Sequence, residues 1–293
     1  VGVDDGVPMT AGPFGLPVTV AGVTMNTGVA DADGIEWYLE AVDGWDGPAV
    51  RLPVDDRAFA DGAFIADGYY GARSLTVKGT ALSPTPQAGL VVARTTLARV
   101  TNLLRADGTV QVLENPDKQV TVRLAGPPRM VDDPPVVRFE VPLIAADPRK
   151  FAVAVSSSSV GLASTSGGMS FNATPNFTFG TVGTGGQLVL TNAGTVDTPC
   201  RYTIAGPVDN PAIQHIGLSL TLTFGISLLT GDLLVVDTRD RTVVLNGTAS
   251  RRGTLAAGSQ WFDLQPGANT VRFLAPSYVA AATLTADFRS AWL

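Results

Sequence analysis

The stretch Thr230–Phe273, TGDLLVVDTRDRTVVLNGTASRRGTLAAGSQWFDLQPGANTVRF, decides the fold. Its apolar runs Leu233–Val236 and Thr242–Leu245 are short, rich in β-branched residues and separated by a polar turn, and Asn246-Gly247 closes the second run. This arrangement is typical of antiparallel strands. A further turn leads into the run Asn269–Leu274, so the stretch predicts strands at the edge of a β-sandwich.

The composition of the chain limits the class of protein. Hydrophobic residues make up 45% of the 293 residues and charged ones 16%, and the 32 glycines and 20 prolines have no collagen period. Many short strands joined by turns explain this composition, because the runs between the turns are strongly apolar. The net charge of −6 argues against binding nucleic acid or an anionic membrane through a basic face.

Cysteine and histidine are too rare for most metal and redox sites. Each occurs once, which excludes a disulfide within the chain and a Cys/His zinc site, and no phosphate-binding glycine loop follows a strand. No apolar run reaches the roughly 18–20 residues of a transmembrane helix, and the N-terminus lacks the pattern of a secretory signal. We therefore expect no cofactor, no metal and no membrane insertion.

The sequence predicts two domains. Residues 1–155 are expected to form a β-rich domain with one helix at about 86–105, where Thr85 can cap the helix and Pro86 fits its first position. An apolar stripe at helical spacing, Leu90, Leu97, Val100 and Leu104, is expected to pack on a sheet. Ser156–Gly168 is rich in serine and glycine and is predicted to be a connection or a long exposed loop. Residues 156–293 carry strand-like runs about ten residues apart, which predicts a β-sandwich or jelly roll.

Few residues could carry catalysis. His215 lies between an Asn-Pro turn and a strand, with no nucleophile elbow near it, so we expect a surface or strand-end residue. Cys200 is predicted to be a small buried hydrophobe. Asp237 and Asp240 could bind an ion, but their spacing lacks the glycine and terminal glutamate of a calcium loop, and the arginines beside them favour neutralisation. No catalytic residue is assigned, and the chain is not predicted to be an enzyme.

The tryptophans allow two interpretations, as sugar contacts or as packing residues. Trp45, Trp261 and Trp292 could stack on sugars, as aromatic rings do in carbohydrate-binding modules. Alternatively they fill the core or a subunit interface, which the alternation in QWFDL favours for Trp261. Trp261 is the candidate sugar contact.

Several segments resemble the distal tail proteins of long, flexible-tailed bacteriophages, the siphovirus-type tail components. The resemblance rests on GIEWYLEAVDGWDGPAVR and AADPRKF in the first half, and on LTNAGTVDTPCRYTIAGP and the string GDLLVVD…VVLNG…LQPGANTVRF in the second. It implies a mainly β fold: an N-terminal β-rich ring (belt) domain with one α-helix, and a C-terminal galectin-like β-sandwich.

The resemblance also implies a function. Family members form a hexameric ring that contacts the tail tube ring on one side and the tail-associated hub protein on the other, and receptor-binding or side-fibre proteins can attach to the C-terminal domain. The chain would then be a structural virion protein of the tail tip, made in the host bacterial cytoplasm, with DNA passing through its lumen in transit only. The alternative function is a carbohydrate-binding adhesin of the tail tip.

A ring formed by strand addition needs exposed strand edges. We expect Gly34–Gly79 and the hairpin Thr109–Leu124 to supply the ring wall and the subunit contacts. Replacing Val110 and Val112 of this hairpin with lysine is predicted to break assembly before it breaks folding. The candidate interface residues are Trp37, Trp45, Val110, Val112, Val120 and Val122.

Overall fold

Antiparallel strands are the main secondary structure of the described residues. The computed structural model describes residues 15–83, 85–163 and 186–293. Their contacts divide the chain into two units, one that ends at Val153 and takes in Leu293, and one that spans Ala154–Trp292. The predicted mainly β fold class is confirmed, and α1 (Pro86–Leu103) is the one α-helix in the described part of the chain. None of the helical segments described there has the length and hydropathy to span a bilayer.

The first unit is built on one large antiparallel sheet. The sheet has the order β2-β1-β9-β10-β12-β8-β3, with β11 paired to β12 and β13 to β10. Strands β8 and β12 pair along ten residues each. The strands are β1 (Val18–Val20), β2 (Val23–Met25), β3 (Glu36–Asp43), β4 (Val50–Arg51), β5 (Val54–Asp56), β6 (Ala63–Ile65), β7 (Tyr69–Tyr70), β8 (Arg73–Leu82), β9 (Gly108–Val112), β10 (Lys118–Leu124), β11 (Arg129–Asp133), β12 (Val136–Ala145) and β13 (Lys150–Ala152).

Helix α1 packs against β12 through one apolar stripe. The helix begins at Pro86, where the missing N–H would have no partner within the helix. Thr85 holds the predicted N-cap position but makes no side-chain capping bond. Its backbone N–H donates to Ser83 Oγ at 3.2 Å. The stripe faces the core, as its helical spacing predicted, and consists of Leu90, Ala93, Leu97, Val100 and Leu104.

A β-bulge shapes the contact between β3 and β8. Leu39 pairs with Gly79 and Ala41 with Lys78, so Glu40 is the extra residue of β3. Its carboxylate accepts a hydrogen bond from Thr80 Oγ1 at 2.7 Å. Next to the bulge, the carbonyl oxygen of Tyr38 and the ring of Phe139 lie so close to Gly79 that this position has no space for a side chain.

The second unit is a β-sandwich. Its six-stranded sheet has the order β14-β25-β16-β21-β22-β23 and its four-stranded sheet the order β15-β24-β18-β19, while β17 and β20 pair separately. Buried side chains from both sheets form a single core. The strands are β14 (Ser156–Gly161), β15 (Gln187–Asn192), β16 (Cys200–Ala205), β17 (Val208–Asp209), β18 (Ala212–His215), β19 (Leu220–Thr223), β20 (Ser227–Leu228), β21 (Leu233–Asp237), β22 (Thr242–Leu245), β23 (Ala249–Ser250), β24 (Gly267–Leu274), β25 (Thr283–Phe288) and β26 (Ala291–Trp292).

Two expectations for this unit were wrong. Strand β21 lies between β16 and β22, and β24 lies between β15 and β18, so the stretch 230–273 supplies interior strands and not only an edge. Ser156–Gly161 is no loop, because it forms β14 and pairs with β25 over six residues. One of the strand-like runs of the sequence, Phe177–Phe179, lies outside the described residues.

The Asn-Gly turn of the opening stretch is tied to the turn before β21. Asn246 and Gly247 both have positive φ, at 51° and 76°. The Asn246 side chain accepts the N–H of Leu233 at 2.9 Å and donates to Asp232 Oδ1 at 2.9 Å. Hydrogen bonds from Asn246 and from the backbone of Leu229 lower the pKa of Asp232.

Candidate assembly surface

Residues 49–71 form a hairpin that pairs with no other part of the described chain, and we call it the arm. Its root is closed by the N–H of Gly71, which donates to the carbonyl of Ala49 at 2.7 Å. Strands β4 and β7 then pair, followed by β5 and β6, and neither pair joins the main sheet. Since a lone two-stranded hairpin is marginally stable in water, the arm is an element that a packing partner would stabilise.

The arm exposes large apolar side chains. Val54 lies opposite Ile65, which makes an entirely apolar cross-strand pair, and Val50 lies opposite the aromatic ring of Tyr70. Such a cluster of exposed apolar side chains marks an interaction surface more often than scattered ones do. The exposed residues are Val50, Leu52, Val54, Phe59, Phe64, Ile65, Tyr69 and Tyr70.

Acidic side chains are interleaved with these apolar ones. The arm carries two arginines, and the Arg57 guanidinium lies 5.1 Å from the centroid of the Phe64 ring. It carries four exposed carboxylates, so its net charge is negative. They belong to Asp55, Asp56, Asp61 and Asp67.

The sequence showed only part of this surface. The Asp-Gly pairs at 61–62 and 67–68 indicate turns. The first pair lies in the turn between β5 and β6, and the second lies in the connection between β6 and β7. The apolar residues between them were not recognised as a surface because the segment has neither a helical nor a strict strand period. One sequence signal could have revealed this surface: aspartates and glycines interrupt its apolar residues so often that the segment cannot be buried.

The outer face of helix α1 is a second exposed surface of the first unit. Val91, Thr95, Ala98 and Asn102 are exposed and follow one another at helical spacing. No carboxylate interrupts this uncharged stripe. Arg99 and Arg105 flank it and have no ion pair within the described residues.

The structure buries all six residues that the sequence predicted as interface contacts. Since a neighbouring chain cannot reach buried side chains, we move the candidate assembly surface to the arm. A contribution of the Thr109–Leu124 hairpin to subunit contacts stays a prediction. The buried residues are Trp37, Trp45, Val110, Val112, Val120 and Val122, all in the core of the first unit.

Trp45 anchors the root of the arm. Its ring N–H donates to Glu114 Oε1 at 3.3 Å, and Lys150 Nζ lies 5.4 Å from its ring centroid. Arg73, which is fully buried, donates from Nη1 to the Trp45 carbonyl at 2.7 Å and from Nε to the Pro148 carbonyl at 2.9 Å. Burial lowers the pKa of both Arg73 and Lys150. These contacts hold the backbone in place at Trp45, which precedes the first residue of the arm by four positions.

His215 makes structural contacts inside the second unit. It ends β18, as predicted for a strand-end residue, but it is buried. Its Nδ1 accepts the N–H of Leu218 at 3.1 Å, so the ring proton sits on Nε2, which is 3.0 Å from Asn269 Oδ1. Its ring packs edge-on against Phe262 at 5.5 Å between centroids. Both ring nitrogens are engaged, and neither is available to a substrate.

The remaining chemical candidates are structural. Cys200 is buried as predicted, and burial raises the pKa of its thiol far above the ordinary value. Asp237 Oδ1 accepts the backbone N–H groups of Arg239 at 2.9 Å and Asp240 at 3.4 Å, which closes the turn between β21 and β22. In the described ranges, no three His, Cys, Asp or Glu side chains converge as a metal site.

Trp261 is half-buried and packs against the core of the second unit. Its neighbour Gln260 donates its N–H to the carbonyl of Thr221 at 3.0 Å, which places this segment along the outer edge of β19. A partly exposed ring at a sheet edge is compatible with both interpretations of the sequence. Its role as a sugar contact stays a prediction.

Comparison with known proteins agrees with this architecture. Residues 193–292 match the family described as the siphovirus-type tail component, C-terminal domain. No curated protein matches the chain.

Solved structures share the fold over nearly the whole length. The SPP1 Dit protein, described as a paradigm of the hub adsorption apparatus in Gram-positive infecting phages, is similar over 95% of this chain and 99% of that one, with a TM-score of 0.65 and 15% identity. A chain of the phage P2 baseplate in its activated conformation is similar over 89% of this chain and 91% of that one, with a TM-score of 0.50 and 8% identity. These similarities establish a shared fold and, with the family match, confirm the resemblance found in the sequence.

Proposed function

We propose that this chain, whose residues 193–292 belong to the siphovirus-type tail components, is a structural virion protein of the distal tail that assembles through its arm. The observation that carries the proposal is the unpartnered apolar surface of residues 49–71. An exposed hairpin of this kind gains stability only when another surface covers it. A second copy of the chain is the partner that a self-assembling tail component always has available.

The arm supports a head-to-tail contact. A contact between two different surfaces of the same chain generates a ring when the rotation closes. The outer face of α1 is suited to receive the arm, because its uncharged stripe matches the exposed apolar side chains, and Arg99 and Arg105 can meet the aspartates. Six copies per ring is the number that the family resemblance implies, and we adopt it as part of the proposal.

The proposed ring joins other parts of the tail. SPP1 Dit is described as part of a hub adsorption apparatus, and the second similar structure is a baseplate. We infer that this chain likewise lies at the virion tail tip, between the tail tube ring and the hub protein, with receptor-binding or side-fibre proteins as further partners. It would be made in the host bacterial cytoplasm. Its net charge of −6 supports DNA transit through the lumen without specific binding, since like charge repels phosphate.

The experiment that tests the proposal compares Ile65→Lys with the unchanged chain. Ile65 is exposed on the arm, so the substitution should leave the melting temperature within about 2 °C while it places a charge in the contact. We expect the unchanged chain to form six-fold rings, seen by light scattering coupled to size exclusion and by negative-stain images. Ile65→Lys is expected to remain a monomer.

Ile144→Lys is the matched control. Ile144 is an exposed isoleucine of the first unit and lies on β12, outside both the arm and the outer face of α1. It should assemble like the unchanged chain. Rings formed by Ile65→Lys, or equal loss of assembly in Ile144→Lys, would contradict the assignment of the arm as the contact.

A further inference from the structure

The outward face of the four-stranded sheet carries a row of hydrogen-bonding side chains. The strand register places Gln187 of β15 opposite Arg272 of β24, Arg272 opposite Gln214 of β18, and Gln214 opposite Thr221 of β19. All four are half-buried, while the residues that alternate with them are buried in the core. With strands about 4.8 Å apart, the row spans about 15 Å.

Within the described residues these side chains use none of their hydrogen-bonding capacity. No hydrogen bond or ion pair involves the side chains of Gln187, Gln214, Thr221 or Arg272. Two arginines on strands of the first unit are paired: Arg138 donates to Asp133 at 3.1 Å, and Arg123 to Asp107 at 2.6 Å. The row differs from these in offering four neighbouring side chains whose donors and acceptors have no partner within the described residues.

The six-stranded sheet of the same unit provides a direct contrast. There Arg201 of β16 lies opposite Asp237 on one side and opposite Asp287 on the other. Such cross-strand pairs of opposite charge stabilise a sheet. Arg272 has the same position between two strands, but both of its neighbours are glutamines, and no carboxylate occupies an outward position of its sheet. Its charge is not compensated by the sheet that carries it.

We propose that this face binds a carboxylate-bearing polysaccharide, with Arg272 holding the carboxylate. A guanidinium presents a planar fork of N–H donors that fits a carboxylate bidentately. The glutamine amides and the threonine hydroxyl on both sides can donate to and accept from sugar hydroxyls. A single arginine among neutral side chains suits a polysaccharide that carries one carboxylate per sugar. A polyphosphate fits less well, because its closely spaced charges would need several cations.

The test measures binding of oligogalacturonate to the full chain by isothermal titration calorimetry. Arg272→Gln should weaken binding at least tenfold, roughly the effect of losing a charged hydrogen bond. Arg201→Gln is the matched control: it removes the same charge from the other sheet and should leave binding unchanged. Gln214→Ala should weaken binding less than Arg272→Gln, and circular dichroism checks that each variant is folded.

Three results would overturn the proposal: no binding by the unchanged chain, equal loss in Arg201→Gln, or equal binding of poly(glycerol phosphate). The last would indicate general attraction of anions. If Arg272→Gln does not fold, Arg272→Lys replaces it, because a lysine keeps the charge but lacks the fork and should also weaken binding. Measuring the arm variant Ile65→Lys as well gives the affinity of a single chain, so the result does not depend on ring assembly.

Discussion

At Gly79 the smallest side chain would change the stability of the first unit. An added Cβ would clash with the carbonyl oxygen of Tyr38 and lie 2.6 Å from Cζ of Phe139. Neither can yield easily, because the carbonyl belongs to the bulged strand and Phe139 packs edge-on against Trp37, with 6.0 Å between the ring centroids. We expect Gly79→Ala to lower the free energy of unfolding by about 2–3 kcal/mol, measured by urea denaturation.

Gly47→Ala is the control for this substitution. A Cβ at Gly47 meets no atom within 4 Å. Its effect should stay within about 0.5 kcal/mol, the range of ordinary surface substitutions. If the two variants unfold at the same urea concentration, the close contact at Gly79 does not limit stability.

Asn246 is expected to control the acidity of Asp232. Asn246→Gly keeps a residue that tolerates positive φ but removes the amide that donates to the carboxylate, so the pKa of Asp232 should rise toward its ordinary value. Because the folded-state pKa is lowered, the stabilisation is present above the unfolded pKa and is lost as pH falls through the folded one. Carboxyl NMR titration measures the shift.

Asn210→Gly is the control for the titration. Asn210 also has positive φ, at 44°, and makes no contact with Asp232. This substitution should leave the pKa of Asp232 unchanged. An unchanged Asp232 pKa in Asn246→Gly would show that the backbone of Leu229 alone lowers it.

At the scale of the element, strand β9 tests the order of folding and assembly. Val110 is buried in the first core, whereas Gln111 is half-exposed and its amide donates to Gln119 at 3.3 Å. Val110→Lys should cost more than about 4 kcal/mol and prevent folding, because it buries an unpaired charge. Gln111→Lys should cost about 1 kcal/mol. Thermal unfolding of both variants measures these two losses of stability.

This expectation reverses the prediction made from the sequence, in which lysine in β9 breaks assembly first. A Val110→Lys chain that folds but does not assemble would restore the earlier interpretation. The physical reason for the change is burial: the alternating valines of β9 and β10 mark the covered face of the sheet. Sequence alternation shows that one face is apolar, but it does not show what covers that face.

Local signals predicted the strands of the second unit well. β21 and β22 begin at the predicted residues and end within one residue of them, because turn residues and β-branched runs act over a few positions. Strand order is not local, and the sequence therefore missed the interior places of β21 and β24. It also missed β14, a serine-rich edge strand held by backbone pairing with β25, since such pairing requires no apolar side chain.

The candidate sites were predictable to different degrees. The helix stripe of α1 was found because it repeats at helical spacing, and all its members are buried. Residues 49–71 lie within Gly34–Gly79, the segment expected to supply the ring wall and subunit contacts, but the arm was not singled out in it, because exposure depends on what the rest of the chain leaves uncovered. The row through Arg272 was not found either, since its members lie on four strands and only the register brings them together.

For the whole molecule, the two proposals can fail separately. The arm belongs to the first unit and the row through Arg272 to the second. Ile65→Lys should lose rings and keep oligogalacturonate binding, whereas Arg272→Gln should do the opposite. A joint loss in either variant would point to a general folding defect, which circular dichroism would detect.

The arm also has a consequence for the freshly synthesised chain. An apolar hairpin that waits for a neighbour is a template for uncontrolled aggregation. Asp55, Asp56, Asp61 and Asp67 break its apolar residues into short pieces, in the manner of the gatekeeper charges that flank hydrophobic strands in other proteins. In the proposed assembly, the same carboxylates that limit how much apolar area the arm can offer would keep crowded, unassembled subunits apart until a surface with matching cations is reached.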